Sequence, residues 1–328
     1  MSMRASRFGG ANGAVIETFG GFLGARMAFQ RLLLVDGTAV MYRAFYAIPD
    51  LKTRSGQPTN AVYGFIRMMR QLLAGWRPTH AVVAFDGGIP EERRSLLETY
   101  KAQRKPMPHD MRRQIPFVEE YLRLSGTALE RVEGQEADDV IATLAVKAEH
   151  LFEKILVATS DKDMFQLVSG KVSIVPVSGP GAGKTAMGPQ DVLARTGVPP
   201  SRIVEWLALT GDASDNIPGI RGVGAKTAAA LLNQFESLDE LLRRTKEIRS
   251  EKVRAALEAG RDIILRNVEM IRLRTGIDVG FGWEQYECRE GARRDLRNFF
   301  ERMEFRSLVG EIDSSGDLFE GLEAEKDV

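Results

Sequence analysis

The sequence predicts an α/β fold: a mostly parallel, twisted sheet flanked by helices, followed by an all-helical region. Three observations carry this. "RLLLVD" (31–36), "THAVVAFD" (79–86) and "KILVATSD" (154–161) are short runs rich in Val, Leu and Ile and read as buried strands. Between them, "NAVYGFIRMMRQLLAG" (60–75), "MRRQIPFVEEYLRLSG" (111–126) and "EADDVIATLAVKAEH" (136–150) place apolar residues at helical spacing. Strand–helix alternation requires crossover connections, and these give parallel strands with helices on both faces. From about residue 200 the pattern turns helical, in "SRIVEWLALTG", "GAKTAAALLNQF" and "SEKVRAALEAGRDIILRNVEMIRL". The expected organisation is a core over 30–200 with an inserted segment at 88–113, a helical region over 201–275, and a part over 276–312 that packs back on the core. Residues 1–29 read as a disordered extension, from an upstream start codon or as a targeting peptide, with Met27 as an internal start. Residues 313–328 read as a disordered acidic tail.

The chain has 328 residues, 44% hydrophobic and 27% charged, the balance of an ordinary globular protein. A single cysteine, Cys288, excludes an internal disulfide and a multi-cysteine zinc site, and fits a reducing cytoplasm. No run of 18 apolar residues predicts a transmembrane helix. Net charge is zero, but the tail from Asp313 holds six acids against one lysine. If bound metal neutralises the carboxylates described next, the rest of the surface is basic, as suits a nucleic-acid partner.

Each of the three strand segments ends in aspartate: Asp36, Asp86 and Asp161. In open parallel sheets the functional crevice lies outside the carboxyl ends of the strands, so these side chains are expected to converge. One such aspartate could merely cap the following helix; three at one topological position exceed that explanation. "GQEADD" adds Glu136, Asp138 and Asp139 at a helix start, where capping accounts for one acid but not for three. "SDKDM" adds Asp163, and "GDASDNIPG" adds Asp212 and Asp215, which could also be turn residues. Carboxylates crowded in a low-dielectric cleft repel by several kcal/mol, and divalent cations offset this. All-oxygen ligands suit Mg²⁺, with Mn²⁺ as substitute, and three histidines with one cysteine make zinc a poor fit. Two carboxylate groups imply two metals and phosphodiester hydrolysis.

Two further segments point to DNA. "RRSLLETYKAQRKPMPHDMRR" (93–113) carries seven Lys/Arg against two acids and reads as a basic helix over the crevice mouth, or as a solvated helix face. Within it Tyr100, Lys101 and Arg104 combine a stacking ring with phosphate-binding cations. "IPGIRGVGAKTAAALL" (217–232) places Gly219, Gly222 and Gly224 before a helix with Lys226 in its first turn. Glycines admit close backbone approach and helix N-termini attract phosphate, so the segment fits a helix–hairpin–helix clamp; turn-and-cap chemistry alone would give the same spacing.

Together these motifs resemble the flap endonuclease/5′→3′ exonuclease family, most closely the N-terminal 5′-nuclease domain of bacterial DNA polymerase I and its stand-alone relatives. The likeness runs from about Leu32 to Phe305, through "LVDGTAVMYRAFYA", "PTHAVVAFD", "YKAQRKPMP", "VEGQEADDVIATLA", "TSDKDMFQLV" and "LTGDASDNIPGIRGVGAKTA". It implies a PIN/5′-nuclease-like fold with a helical arch and a C-terminal helix–hairpin–helix subdomain. It further implies that Asp36, Asp86, Glu136 and Asp138 bind the first metal, with Asp139 nearby, and that Asp161, Asp163, Asp212 and Asp215 hold the second, with Asp138 near both. Lys101 and Arg104 would stabilise developing charge, Tyr100 would stack on an unpaired base, and Arg43 would contact a phosphate. The glycine hairpin, with a K⁺ ion, would hold duplex. Expected substrates are DNA with 5′ flaps, nicks or ends, and RNA–DNA hybrids, cut by a monomer in the cytoplasm at the nucleoid during replication and repair. The missing polymerase domains leave a stand-alone nuclease or a fragment, and the extension at 1–29 is a second departure.

Other readings fit parts of the sequence. A small RNase of related fold also uses strand-end aspartates but lacks the arch and hairpin. A non-catalytic junction binder would have lost metal carboxylates. "SGPGAGKTAMGP" (178–189) imitates a phosphate-binding loop, yet Ser178 stands where the first glycine is required and Gly188-Pro189 interrupts the following helix. It reads instead as a tight hairpin turn. In the tail, Leu318-Phe319 within "SSGDLFEGL" faintly resembles a sliding-clamp docking peptide.

Overall fold

The structure, a computed structural model, describes residues 30–177, 185–280 and 282–314. In chain order the elements are β1 (Arg31–Asp36), α1 (Gly37–Ala47), α2 (Asn60–Trp76), β2 (His80–Ala84), α3 (Glu91–Leu96), α4 (His109–Arg112), α5 (Ile115–Leu124), β3 (Ala128–Glu130), α6 (Ala137–Ala148), β4 (Lys154–Ala158) and β5 (Val172–Val175). The second half holds α7 (Pro189–Thr196), α8 (Ile203–Thr210), the two-residue strands β6 (Gly211–Asp212) and β7 (Ile217–Pro218), α9 (Ala225–Gln234), α10 (Leu238–Arg243), α11 (Glu251–Ala259), α12 (Arg261–Ile271), α13 (Arg293–Arg302) and α14 (Arg306–Ser314).

Among the described residues the main sheet has five parallel strands in the order β3-β2-β1-β4-β5. The chain builds outward from β1 to β2 and β3, then returns to β4 on the other side of β1. The gap between β1 and β4 is therefore a topological switch point, where such sheets open a crevice. Register brings the strand ends level there: Val35 lies opposite both Val83 and Ala158.

Period-two alternation along β1 divides the core. Leu32 and Leu34 face a cluster with α6 and the helices from α8 to α12, whereas Leu33 and Val35 face α1, α2, α5 and α13. All four are fully buried. Both faces being covered explains why the strands are continuous apolar runs.

The segment expected to be one basic helix is not one. It is helical only at its feet, α3 and α4, and residues 97–108 run as turns and extended chain. Pro106 and Pro108 push Lys105 and Met107 out of helical geometry, and Lys101 sits at φ 56°. The far foot is anchored by Gln114, wholly buried, whose Oε1 accepts from the Ala61 and Val62 amides at the start of α2.

α8 and α9 form the expected helix–hairpin–helix. A Cβ on Gly219 would lie 2.1 Å from the Thr210 carbonyl oxygen, so only glycine lets the hairpin close on α8. Residues 178–184 of the phosphate-loop mimic lie outside the described residues. Their flanks do not make such a loop. Met187 exchanges backbone hydrogen bonds with Ile174 at 2.8 and 3.1 Å, and α7 starts only at Pro189. Among the described residues no helix is long and apolar enough to cross a membrane. The expectations for 1–29 and for Leu318-Phe319 also lie outside the described residues.

Candidate active site

The crevice at the switch point is built from capping groups. Asp36 ends β1 and caps α1, its Oδ1 accepting from the Ala39 amide at 2.9 Å. Asp86 lies two residues past β2, and its Oδ1 accepts from the Ala137 amide at 2.8 Å, holding the start of α6. Asp161, three residues past β4, accepts from the Asp163 amide at 2.9 Å. Thr159 joins them: its hydroxyl donates to Asp36 Oδ2 at 3.2 Å and accepts from the Asp161 amide at 3.1 Å. The capping and functional explanations for these acids are thus not exclusive.

Burial and mutual repulsion dominate the electrostatics. Burial, with added repulsion from Asp86 and Asp161, pushes the Asp36 carboxyl up to about 7. Asp138 and Asp163 are raised well above the carboxylate range, by burial first and then by neighbouring carboxylates, and Asp161 is raised by burial and by Asp215 and Asp212. Burial also acts on Asp212, but hydrogen bonds from Ser214 and the Lys162 ammonium at 3.1 Å hold it below its ordinary value.

Whether these residues suit a divalent cation is decided by two kinds of observation. Asp138 Oδ1 and Asp163 Oδ1 are buried with no hydrogen-bond partner, a costly arrangement that a hard cation would relieve. One oxygen from each of Asp163, Asp212 and Asp215 lies within 4.8 Å of the others, so one ion can reach all three. The donor set is all oxygen, as Mg²⁺ or Mn²⁺ prefers. The residues fit.

The segment between α3 and α4 folds into the same cluster. Lys101 Nζ donates to Glu136 Oε1 at 2.7 Å and lies 3.4 Å from Asp215. Arg104 Nη2 donates to Asp215 Oδ1 at 2.5 Å. Tyr100, expected to stack on a base, is only 5% exposed, and its hydroxyl lies 3.1 Å from Glu136 Oε2 and 3.0 Å from Asp215 Oδ2. In this conformation the ring is core, because Glu136 and Asp215 draw the hydroxyl inward.

Asp139 departs further from expectation. It is fully buried, both oxygens accept from Arg93 at 2.7 and 2.8 Å, and Oδ1 also accepts the Arg274 amide at 2.9 Å. It is a structural ion pair rather than part of the open carboxylate cluster. Arg93 was not singled out by the sequence; its only signal is its place in the basic run. Arg43 on α1 is exposed, as are Gly222, Gly224 and Lys226 in the hairpin, where Gly222 takes φ +85°.

The N-terminal resolvase-like domain model of 5′-3′ exonucleases matches residues 31–197, and the C-terminal SAM-fold model of the same enzymes matches residues 198–294. A 5′-3′ exonuclease of Aquifex aeolicus is 36% identical over 285 residues, which cover 87% of this chain and 96% of that protein. The chain belongs to the 5′-3′ exonuclease family. Its carboxylate cluster draws on both family regions: Asp36 to Asp163 from the first, Asp212 and Asp215 from the second.

A thermostable DNA polymerase I of Thermus filiformis is 39% identical over 283 residues, 86% of this chain. The chain spans about a third of the length of such polymerase relatives. Among solved structures, the bacteriophage T5 flap endonuclease with DNA and metal ions has a TM-score of 0.62 at 19% identity, over 87% of this chain and all of that one. The catalytic core of Rad2 with a DNA substrate has a TM-score of 0.60 at 19% identity, over 87% and 92%. These likenesses establish the fold.

Proposed function

We propose that this 5′-3′ exonuclease is structure-specific, removing nucleotides from 5′ ends and cutting 5′ flaps in DNA through two bound divalent cations. In this reading Asp36, Asp86, Glu136 and Asp138 hold one ion, and Asp161, Asp163, Asp212 and Asp215 hold the other, with Asp138 near both. Asp139 is left out of both sets. Mg²⁺ or Mn²⁺ bound there supplies Lewis acidity and charge neutralisation at the scissile phosphate. The chain's own groups do the rest. Lys101 and Arg104 are placed to exchange their carboxylate partners for a substrate phosphate. The Gly219–Gly224 hairpin offers backbone amides and Lys226 to a duplex backbone, with a K⁺ ion as part of the same proposal. Arg43 meets a phosphate from α1. Tyr100 reaches a base only if residues 97–108 swing out of the cleft.

The observation that carries the reading is the pair of buried carboxylate oxygens, on Asp138 and Asp163, that lack any partner beside the basic segment. The proposal extends to a role in replication and repair, as the polymerase relatives' names suggest; action in the cytoplasm at the nucleoid, RNA–DNA hybrids as further substrates and a monomer as the acting form are further parts of it. The division at 30–200, 201–275 and 276–312 belongs to this proposal too, as does clamp docking through Leu318-Phe319. The test maps products from flapped, nicked and RNA–DNA hybrid duplexes with Mg²⁺, Mn²⁺ or chelator. Cleavage at the junction that stops on chelation is expected. Junction cleavage undiminished by chelator would remove the metal assignment, and RNA cleavage without DNA cleavage would favour the small-RNase reading.

A further inference from the structure

Glu136 faces three donors: Arg93 Nη1 at 2.5 Å on Oε2, Lys101 Nζ at 2.7 Å on Oε1, and the Tyr100 hydroxyl 3.1 Å from Oε2, whose single proton is shared with Asp215 Oδ2 at 3.0 Å. The three differ in kind. Lys101 is a flexible ammonium in a turn, divided between Glu136 and Asp215. Arg93 lies eight positions earlier on α3, at the root of the arch segment, and is 4% exposed. Every N–H of its guanidinium has an acceptor. Nε donates to the Met270 carbonyl at 3.1 Å, and Nη1 to Glu136 and to Asp139 at 2.7 Å. Nη2 donates to Asp139 at 2.8 Å and to the Arg272 carbonyl at 3.4 Å. A guanidinium has five N–H groups, so none is spare for a phosphate. Its charge is permanent, and its planar fork fixes direction as well as distance. Arg93 therefore does not suit substrate contact; it suits holding something else in place.

We propose that Arg93 is the positioning residue for the metal carboxylate Glu136. It pins Oε2, which leaves Oε1 facing the cleft to exchange between Lys101 and a divalent cation. The same fork makes Asp139 its counter-ion, which accounts for a buried acid outside the open carboxylate cluster. Through the Met270 and Arg272 carbonyls it also ties Glu136 to the end of α12. That helix carries Asn267, whose Nδ2 donates to the Ala208 and Pro218 carbonyls beside the hairpin at 3.0 and 2.7 Å. One buried side chain thus joins the arch root, a metal carboxylate and the helix behind the duplex clamp. The inference rests on the two-cation nuclease reading.

The test uses the full chain and Mn²⁺ as probe, with free Mn²⁺ counted by electron paramagnetic resonance in the absence of DNA. Two variants are needed, because removing a buried guanidinium alone strands Glu136 and Asp139 and can unfold the protein. R93K keeps the charge and loses the fork. R93Q/D139N removes charge from both sides of the fork. For either variant that folds, Mn²⁺ affinity is expected to fall by about 10- to 100-fold, the usual effect of losing a partner that orients a metal ligand. kcat should fall with it, while KM for a 5′-flap duplex and DNA binding in chelator stay at the wild-type level. D139N alone, which keeps the Arg93–Glu136 contact, should bind Mn²⁺ nearly as wild type does. A folded variant with unchanged Mn²⁺ affinity and kcat would overturn the proposal. So would loss of folding in both, since Arg93 would then be a structural residue only. A wild-type protein that binds no Mn²⁺ at all would instead defeat the underlying nuclease reading.

Discussion

Asp163 has a buried carboxylate with one oxygen unpartnered and with Asp161, Asp212 and Asp215 as neighbours, so its charge opposes folding until a cation arrives. Asp163→Asn removes that repulsion. The metal-free variant is expected to melt higher than wild type, by roughly 2–4 °C for each kcal/mol relieved, while cleavage is lost. A thermal melt in chelator beside a flap assay checks both halves. The same logic fixes a pH dependence. Asp36, Asp138, Asp161 and Asp163 are all raised in the folded state, Asp36 to about 7. Below the unfolded carboxyl value, about 4, these groups are protonated in both states and cost nothing. As pH rises above that value the unfolded chain ionises them while the fold holds them protonated, Asp36 up to about 7, so the metal-free fold loses stability as pH rises toward their raised folded values. Protons and cations compete for these oxygens, so the Mg²⁺-induced rise in melting temperature should grow between pH 5 and pH 8. A constant increment would contradict the cluster's electrostatics. These aspartates could be read from the sequence because position at a strand end is a local property. The Arg93–Asp139 pair could not, since its partners lie 46 positions apart and nothing local marks them.

At the scale of elements, the strands and long helices follow directly from apolar spacing, whereas the arch segment does not. Its charge pattern suggests a helix over 93–113, but Pro106, Pro108 and the positive φ of Lys101 leave helix only at the feet. The three-residue strand β3 offers too little periodicity to be read at all. What holds residues 97–108 in place is the ion pairing of Lys101 and Arg104 with Glu136 and Asp215. Mg²⁺ competes for those lone pairs, so amide hydrogen exchange across 97–108 should quicken when Mg²⁺ is added and stay unchanged in a Glu136→Gln/Asp215→Asn variant. The hairpin makes a separate prediction. Gly222 has open space around its Cβ position but sits at φ +85°, so Gly222→Ala adds backbone strain of about 1–2 kcal/mol without a clash. Denaturant melts should register that loss, and affinity for duplex DNA should drop as the hairpin relaxes.

Across the whole molecule, the order β3-β2-β1-β4-β5 turns carboxylates scattered from residue 36 to residue 163 into one cleft, and the helical half closes it with Asp212 and Asp215. The alternation of strands and helices made this architecture legible; the contribution of the second half was legible only as a motif, because its approach to the sheet is a matter of tertiary packing. The central claim is that the two halves form one metal-dependent centre, and it is tested most directly by comparing wild type with Asp161→Ala and Asp212→Ala, one from each half. The measurement is cleavage of a 5′-flap duplex in Mg²⁺, with DNA binding checked in chelator. Losing a metal ligand should exceed the 10- to 100-fold cost typical of an outer partner, so both variants are predicted to slow cleavage by about 100-fold or more while still binding DNA. Cleavage at the wild-type rate by either variant would contradict the account.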